Sequence, residues 1–315
     1  MFISPTVAGE AVLIGSCAGS LYALDRKAGT PRWSYDTKAD GAAAQFHGEP
    51  LLLGKRVIIP TDADPKGHLY AFDTASGEPL WKLPFERGIT TTPLLVEGRV
   101  IAATARGEVL AVDPSRGEVA WRVALAADIR VSPAAAGKRI FVADNTNKVV
   151  ALDAATGAAV WRTTLAARPN TALVVAGKTL VLGTMDGDLH WLALDSGKET
   201  KRLRLDGMPY GTPILAPPLL YVLTSKGSLL ALDPESGATR WKHETPREWT
   251  TYRPLVSDGI IIAGSEEKDL CAFDRLTGET RWCRDVGQVP RGLGMSGDGV
   301  LYVGSLSGVV QSFRP

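Results

Sequence analysis

Apolar and polar residues alternate in short runs along the whole chain, and Gly, Pro or Asp interrupts each run after about five residues. Residues 89–104, ITTTPLLVEGRVIAAT, predict a strand, a Glu97-Gly98 turn and a second strand. GEVLAVD predicts a third strand, PSRG a turn and EVAWRVAL a fourth, which brings the unit to Leu125. Period-two alternation with β-branched residues between turn formers is the pattern of antiparallel sheet. Helical periodicity is almost absent. Four such strands make a sheet that cannot bury both faces by itself.

The unit recurs. The frame Gly-x-Leu-Tyr-Ala-Leu-Asp-x-x-x-Gly, with Trp four residues after its second Gly, is repeated at Gly29–Trp33, Gly77–Trp81, Gly117–Trp121, Gly157–Trp161, Gly237–Trp241 and Gly278–Trp282. Gly197 marks a further copy, in which Trp191 stands at the Ala position and Lys201 at the Trp position. The second glycines are 48, 40, 40, 40, 40 and 41 residues apart. A constant period of this size implies like sheets packed around an axis, an all-β propeller. Gly308–Pro315 opens the frame once more, with Ser312 for Ala and Arg314 for Asp. The expected fold is therefore one domain over 1–315: an eight-bladed β-propeller of four-stranded antiparallel blades. The eighth blade, about residues 287–315, has three strands. Only Met1 and Phe2 precede the first inner strand, and a bare sheet edge is an aggregation hazard, so a lost upstream segment is expected. The eight extra residues of the second repeat are expected in the loop around TDADPKGH.

The frame residues suit structural work. Asp25, Asp73, Asp113, Asp153, Asp233 and Asp274 can accept backbone N–H groups two residues on, and the second Gly can take the left-handed conformation that closes the loop. Ala23 and its equivalents leave room for a flat indole, so Ala and Trp read as a stacking pair that locks blade to blade, a tryptophan-docking motif. The Trp191/Lys201 copy moves bulk from one site to another, as packing allows.

Charge adds little. Net charge is +1, from 35 basic and 34 acidic residues, with no block of one sign to mark a nucleic-acid footprint. No apolar run approaches a membrane helix, and Met1 leads at once into strand-like sequence with no export signal. Cys17 stands alone. Cys271 and Cys283 flank one hairpin turn, could lie opposite each other and read as two small apolar side chains on neighbouring strands, with a cross-strand disulfide of demanding geometry as the alternative. Asp62 and Asp64 form the nearest local acidic cluster and read as solvated, so no metal site is expected. Four histidines on separate blades leave few acid–base candidates, and no catalytic residue is assigned.

One end of each inner strand meets the central channel. Aligned on Pro5, Pro50, Pro93, Pro133, Pro213 and Pro254, the positions two to three residues earlier hold His47, Thr90, Arg130, Tyr210 and Tyr252. Asn170 and Arg291 align there in repeats without the Pro, and Trp249 and Arg253 are close by. Together they predict a cationic, aromatic-lined mouth able to take a planar polycarboxylate or an acidic peptide. The same residues also suit an ordinary solvated rim.

The frame, seen as LYALDRKAGTPRW or VVALDAATGAAVW, resembles the pyrroloquinoline-quinone (PQQ) type propeller repeat over essentially the whole chain. The resemblance implies a fold shared by quinoprotein alcohol dehydrogenases, by the BamB propeller of outer-membrane assembly and by sensor domains of bacterial kinases. The dehydrogenases are nearly twice as long, carry adjacent cysteines against the quinone and hold Ca²⁺. This chain has no adjacent cysteines. It therefore resembles the non-catalytic branch. By resemblance, the chain is expected to be a monomeric, periplasmic scaffold for protein partners that requires no cofactor. The alternatives are a sensor for PQQ or another anionic small molecule, and a small PQQ-dependent dehydrogenase.

Overall fold

The computed structural model describes residues 4–41, 44–63, 66–125 and 127–314. Met1, Phe2 and Asp64, on which three expectations rest, lie outside them. Seven sheets of four strands and one of three follow one another in chain order, each strand antiparallel to the next. In the first blade the strands are Thr6–Ala8, Ala11–Gly15, Ser20–Asp25 and Pro31–Asp36. The eighth blade consists of Pro290–Met295, Leu301–Ser305 and Val310–Phe313. The fold is the expected eight-bladed β-propeller with an incomplete last blade. No helix among the described residues is long and apolar enough to cross a membrane.

A strand buries alternate residues on alternate faces, so a blade needs a neighbour on each side. The apolar clusters accordingly lie between blades. Ile101, Ala103 and Val109 of the third pack against Ile140, Val142 and Leu152 of the fourth, for example. The ring closes where blade eight meets blade one, and there the cluster is small: Val12, Ile14 and Tyr302 are its buried members. Arg26 and Asp298 form an ion pair at 3.0 Å across this seam.

A second joint lies at the periphery. In the six turns that carry the frame Asp its carboxylate accepts backbone N–H groups two and three residues on, as Asp113 does from Ser115 and Arg116 at 2.8 and 2.9 Å; the fifth-blade turn has Ala193 there. The turn then receives the indole of the preceding blade. Trp33, Trp81, Trp121, Trp161 and Trp241 donate Nε1–H to the carbonyls of Thr74, Pro114, Ala154, Leu194 and Arg275, at 3.0–3.1 Å. The ring also lies on the turn glycine: a Cβ on Gly117 would stand 2.7 Å from Trp81. Glycine is thus required there both by its positive φ of 73° and by the ring. This refines the expected Ala–Trp pair. Ala111 faces Trp121 across strands of one blade, and the link to the next blade is made by the turn.

Two other expectations are corrected. Cys271 and Cys283 are directly opposed on adjacent strands, Cα atoms 4.1 Å apart, and are joined as a disulfide. The close antiparallel pair supplies the separation a bridge needs. The extra residues of the second repeat are divided. Trp33 to Leu51 is 18 positions, against 13 from Trp81 to Leu94, so most enter the link that carries the short 3-10 helix Thr37–Asp40. There Asp40 accepts from Tyr35, Tyr70 and Lys82, at 2.6, 2.8 and 2.7 Å, tying blade one to blade two.

Candidate functional site at the channel mouth

Six inner strands are entered through an x-Pro step. Proline fixes its own φ and holds the residue before it extended. The residues before these prolines are Ser4, Glu49, Thr92, Ser132, Thr212 and Arg253, and all six line one cavity of about 630 Å³. Every blade contributes to that cavity, from Ser4 in the first to Arg291 in the eighth, so it lies on the propeller axis. The pre-proline residues also link blade to blade. Ser4 N–H donates to Glu49 Oε1 (3.2 Å), Glu49 N–H to Thr92 Oγ1 (3.2 Å) and Thr92 N–H to Ser132 Oγ (2.9 Å).

Of the residues expected at the mouth, His47, Thr90, Arg130, Asn170, Tyr252, Arg253 and Arg291 line the cavity. Tyr210 is one step behind, stacked on Tyr252 with ring centroids 5.2 Å apart, and its burial raises the phenol pKa. Trp249 is elsewhere. It is 5% exposed and meets Phe273 edge-on in the cluster between blades six and seven. Proximity in sequence to Tyr252 was misleading because Trp249 lies before the inner strand Leu255–Ser257, in an isolated bridge with Ser265 that turns its indole into the seam. Glu49 was missed. Its signal is the x-Pro repeat, since the alignment weighed positions further from the proline.

The mouth is cationic. Arg130, Arg253 and Arg291 converge from blades four, seven and eight, with Arg291 5.8 Å from the Tyr252 ring centroid. Glu49 is the one carboxylate among the described lining residues. Burial pushes its carboxyl above the usual range, against the pull of Ser4 and Arg253. Asp62, expected to be solvated, instead contacts His47 Nδ1 at 2.6 Å and orients that imidazole. Arg291 Nε and Thr90 Oγ1 are buried without a hydrogen-bond partner among the described residues. Unpaired buried donors of this kind favour an incoming acceptor.

This donor set suits a carboxylate-bearing anion, including the acid groups of PQQ, which Arg130, Arg253 and Arg291 would meet. It does not suit the Ca²⁺ of a quinoprotein, because hard cations need several converging oxygens and the mouth offers one carboxylate. A separate group, Asp186, Asp188 and His190, brings three potential ligand atoms within 4.8 Å of one another. Its groups are already engaged. His190 contacts Glu199 at 2.7 Å and Thr184 at 3.0 Å through its two nitrogens, and Asp188 pairs with Arg204 at 2.9 Å.

Solved structures share the architecture. BamB from Moraxella catarrhalis superposes with a TM-score of 0.78 at 18% identity, covering 99% of this chain and 94% of that one. The computationally designed Ika8 protein gives 0.85 at 14% identity, covering 100% and 96%. Quinohemoprotein alcohol dehydrogenase from Comamonas testosteroni gives 0.75 at 16%, covering 96% and 69%. These likenesses show the fold alone. No curated protein sequence matches the chain. Residues 65–215 and 211–310 match the PQQ-like repeat family described as outer membrane protein assembly factor BamB, and the chain belongs to that family.

Proposed function

We propose that this chain is a non-catalytic, monomeric propeller scaffold that binds a protein partner in the bacterial cell envelope through an acidic segment seated at the channel mouth. The observation that carries the reading is the convergence of Arg130, Arg253 and Arg291 on one axial cavity whose lining holds a single carboxylate. Arginine forks pair with carboxylates in two parallel hydrogen bonds, and eight rigid blades preorganise them. The family description and the shared fold with BamB support an assembly role. The Cys271–Cys283 bridge supports a compartment outside the cytoplasm, where disulfides persist.

The test is affinity capture from envelope extracts with the wild-type chain and with Arg253→Glu/Arg291→Glu. The same partner should be recovered by the first and lost by the second, with recovery falling as salt rises. Equal recovery by both removes the mouth from the interaction.

A second reading is favoured by Arg291 Nε and Thr90 Oγ1, buried in the mouth without a partner among the described residues: a sensor for a small polycarboxylate such as PQQ. Titration with PQQ, with and without Ca²⁺, should then shift the quinone absorbance and raise the melting temperature. An unchanged spectrum and melting temperature remove this reading.

A further inference from the structure

Polarity changes along the inner strands below the mouth. The residues before the six prolines are polar or charged, from Ser4 to Arg253. Two residues beyond the same prolines stand Val7, Leu52, Leu95, Ala135, Leu215 and Val256, all apolar. None of these six is buried, and Leu95 is 46% exposed. A strand rises about 3.3 Å per residue, so this apolar band lies roughly 10 Å along the strands from the pre-proline ring. A second cavity, of about 580 Å³, lies at that level. Its lining includes Val7, Leu215, Val256 and Met295, and it reaches Asp258 in the turn that ends the inner strand Leu255–Ser257. Glu49 and Arg253 line both this cavity and the mouth, so the two spaces meet at those side chains. An apolar band left accessible from a channel, rather than closed into a core, is a surface that a ligand can cover.

We infer that the channel binds a linear amphiphilic carboxylate, with its head at Arg253 and Arg291 in the mouth and its hydrocarbon tail along the apolar band. The inference rests on the reading of the mouth as a carboxylate site and names the class of molecule that fills it. Arg253 belongs to both spaces, so a carboxylate paired with it stands where the tail enters the deeper cavity directly. Arg130, Arg253 and Arg291 outweigh Glu49 and hold the anionic end, while each methylene moved from water onto the band adds a favourable increment. A second acid group at the level of Val7 and Val256 would be desolvated against side chains that cannot pair with it, so one acid group fits better than several. The same arginines repel an amphiphile with a cationic head.

The test is calorimetry on the full 315-residue chain with butyrate, hexanoate, octanoate and decanoate. Affinity should rise about fourfold per methylene until the tail fills the shaft. Arg253→Glu/Arg291→Glu should lower decanoate affinity at least tenfold, and decyltrimethylammonium should not bind. Val256→Asn should weaken decanoate about tenfold more than butyrate. If that variant does not fold, Val256→Thr keeps the side-chain shape and should produce about a threefold difference. Equal affinity from butyrate to decanoate overturns the inference and leaves carboxylate recognition at the mouth standing. Decanoate bound equally well by the double Arg variant, or decyltrimethylammonium bound as tightly as decanoate, also overturns it, because apolar contact alone would then account for binding. A peptide ending in Val-Leu that binds more tightly than decanoate makes a chain end the occupant and overturns it too. If none of the four acids binds, the inference falls, and partner capture then judges the mouth reading by itself.

Discussion

Trp191 donates its indole N–H to the Pro234 carbonyl at 2.8 Å, and so makes from the third strand of its blade the bond that five other blades make from the fourth. Lys201 takes the vacated place, with Nζ 6.0 Å from the Trp191 ring centroid. Trp191 and Lys201 are directly opposed, so the two side chains have exchanged positions without moving the joint. A Cβ on Gly237 would lie 3.2 Å from both.

This exchange predicts a compensation. Trp191→Ala should destabilise by about 3–5 kcal/mol, the usual cost of emptying a buried aromatic site. Lys201→Ala should cost far less. The double change Trp191→Ala/Lys201→Trp restores the frame of the other blades and should recover most of the loss. Urea unfolding midpoints for the three variants check it, and a double variant no better than Trp191→Ala alone refutes the exchange.

Two glycines separate backbone strain from packing. Gly98 has φ 76° and nothing within 4 Å of a built Cβ, whereas Gly117 has φ 73° and the Trp81 ring at 2.7 Å. Gly98→Ala should cost about 1 kcal/mol for the left-handed backbone alone. Gly117→Ala should cost about 1–3 kcal/mol more, because the indole must shift. Equal melting temperatures for the two variants would show that the ring does not depend on the turn.

Replacing Cys271 and Cys283 together by Ser should lower stability by about 3 kcal/mol, as expected for opening a loop of this length. Denaturation in the presence and absence of a reductant should show the same difference in the parent chain and none in the variant.

The turn aspartates give the protein an acid limb. Backbone N–H groups lead in holding Asp25, Asp73, Asp113 and Asp233 below the usual carboxylate range, while Thr156 leads for Asp153 and Arg281 for Asp274. A carboxylate depressed in the folded state stabilises above its unfolded pKa and loses that contribution as pH falls toward the folded value. The melting temperature should therefore hold above about pH 4 and fall below it. Asp233→Asn should melt lower near neutral pH and lose less on acidification.

The repeat was legible because it is periodic: Asp, Gly and Trp recur at fixed places in blade after blade. The disulfide was not, because opposition of Cys271 and Cys283 depends on which hairpin register forms. Trp249 was misplaced because its isolated bridge with Ser265, a tertiary pairing, sends the indole into the seam between blades six and seven.

Blade number, the antiparallel order of strands and the chemistry of each turn come from the order of residues alone, because they depend on contacts within about forty positions. The axial cluster of Arg130, Arg253 and Arg291 and the stacking of Tyr210 on Tyr252 required the closed ring. Each joins residues from different blades, and a linear pattern carries no record of which surfaces meet when the first blade reaches the last.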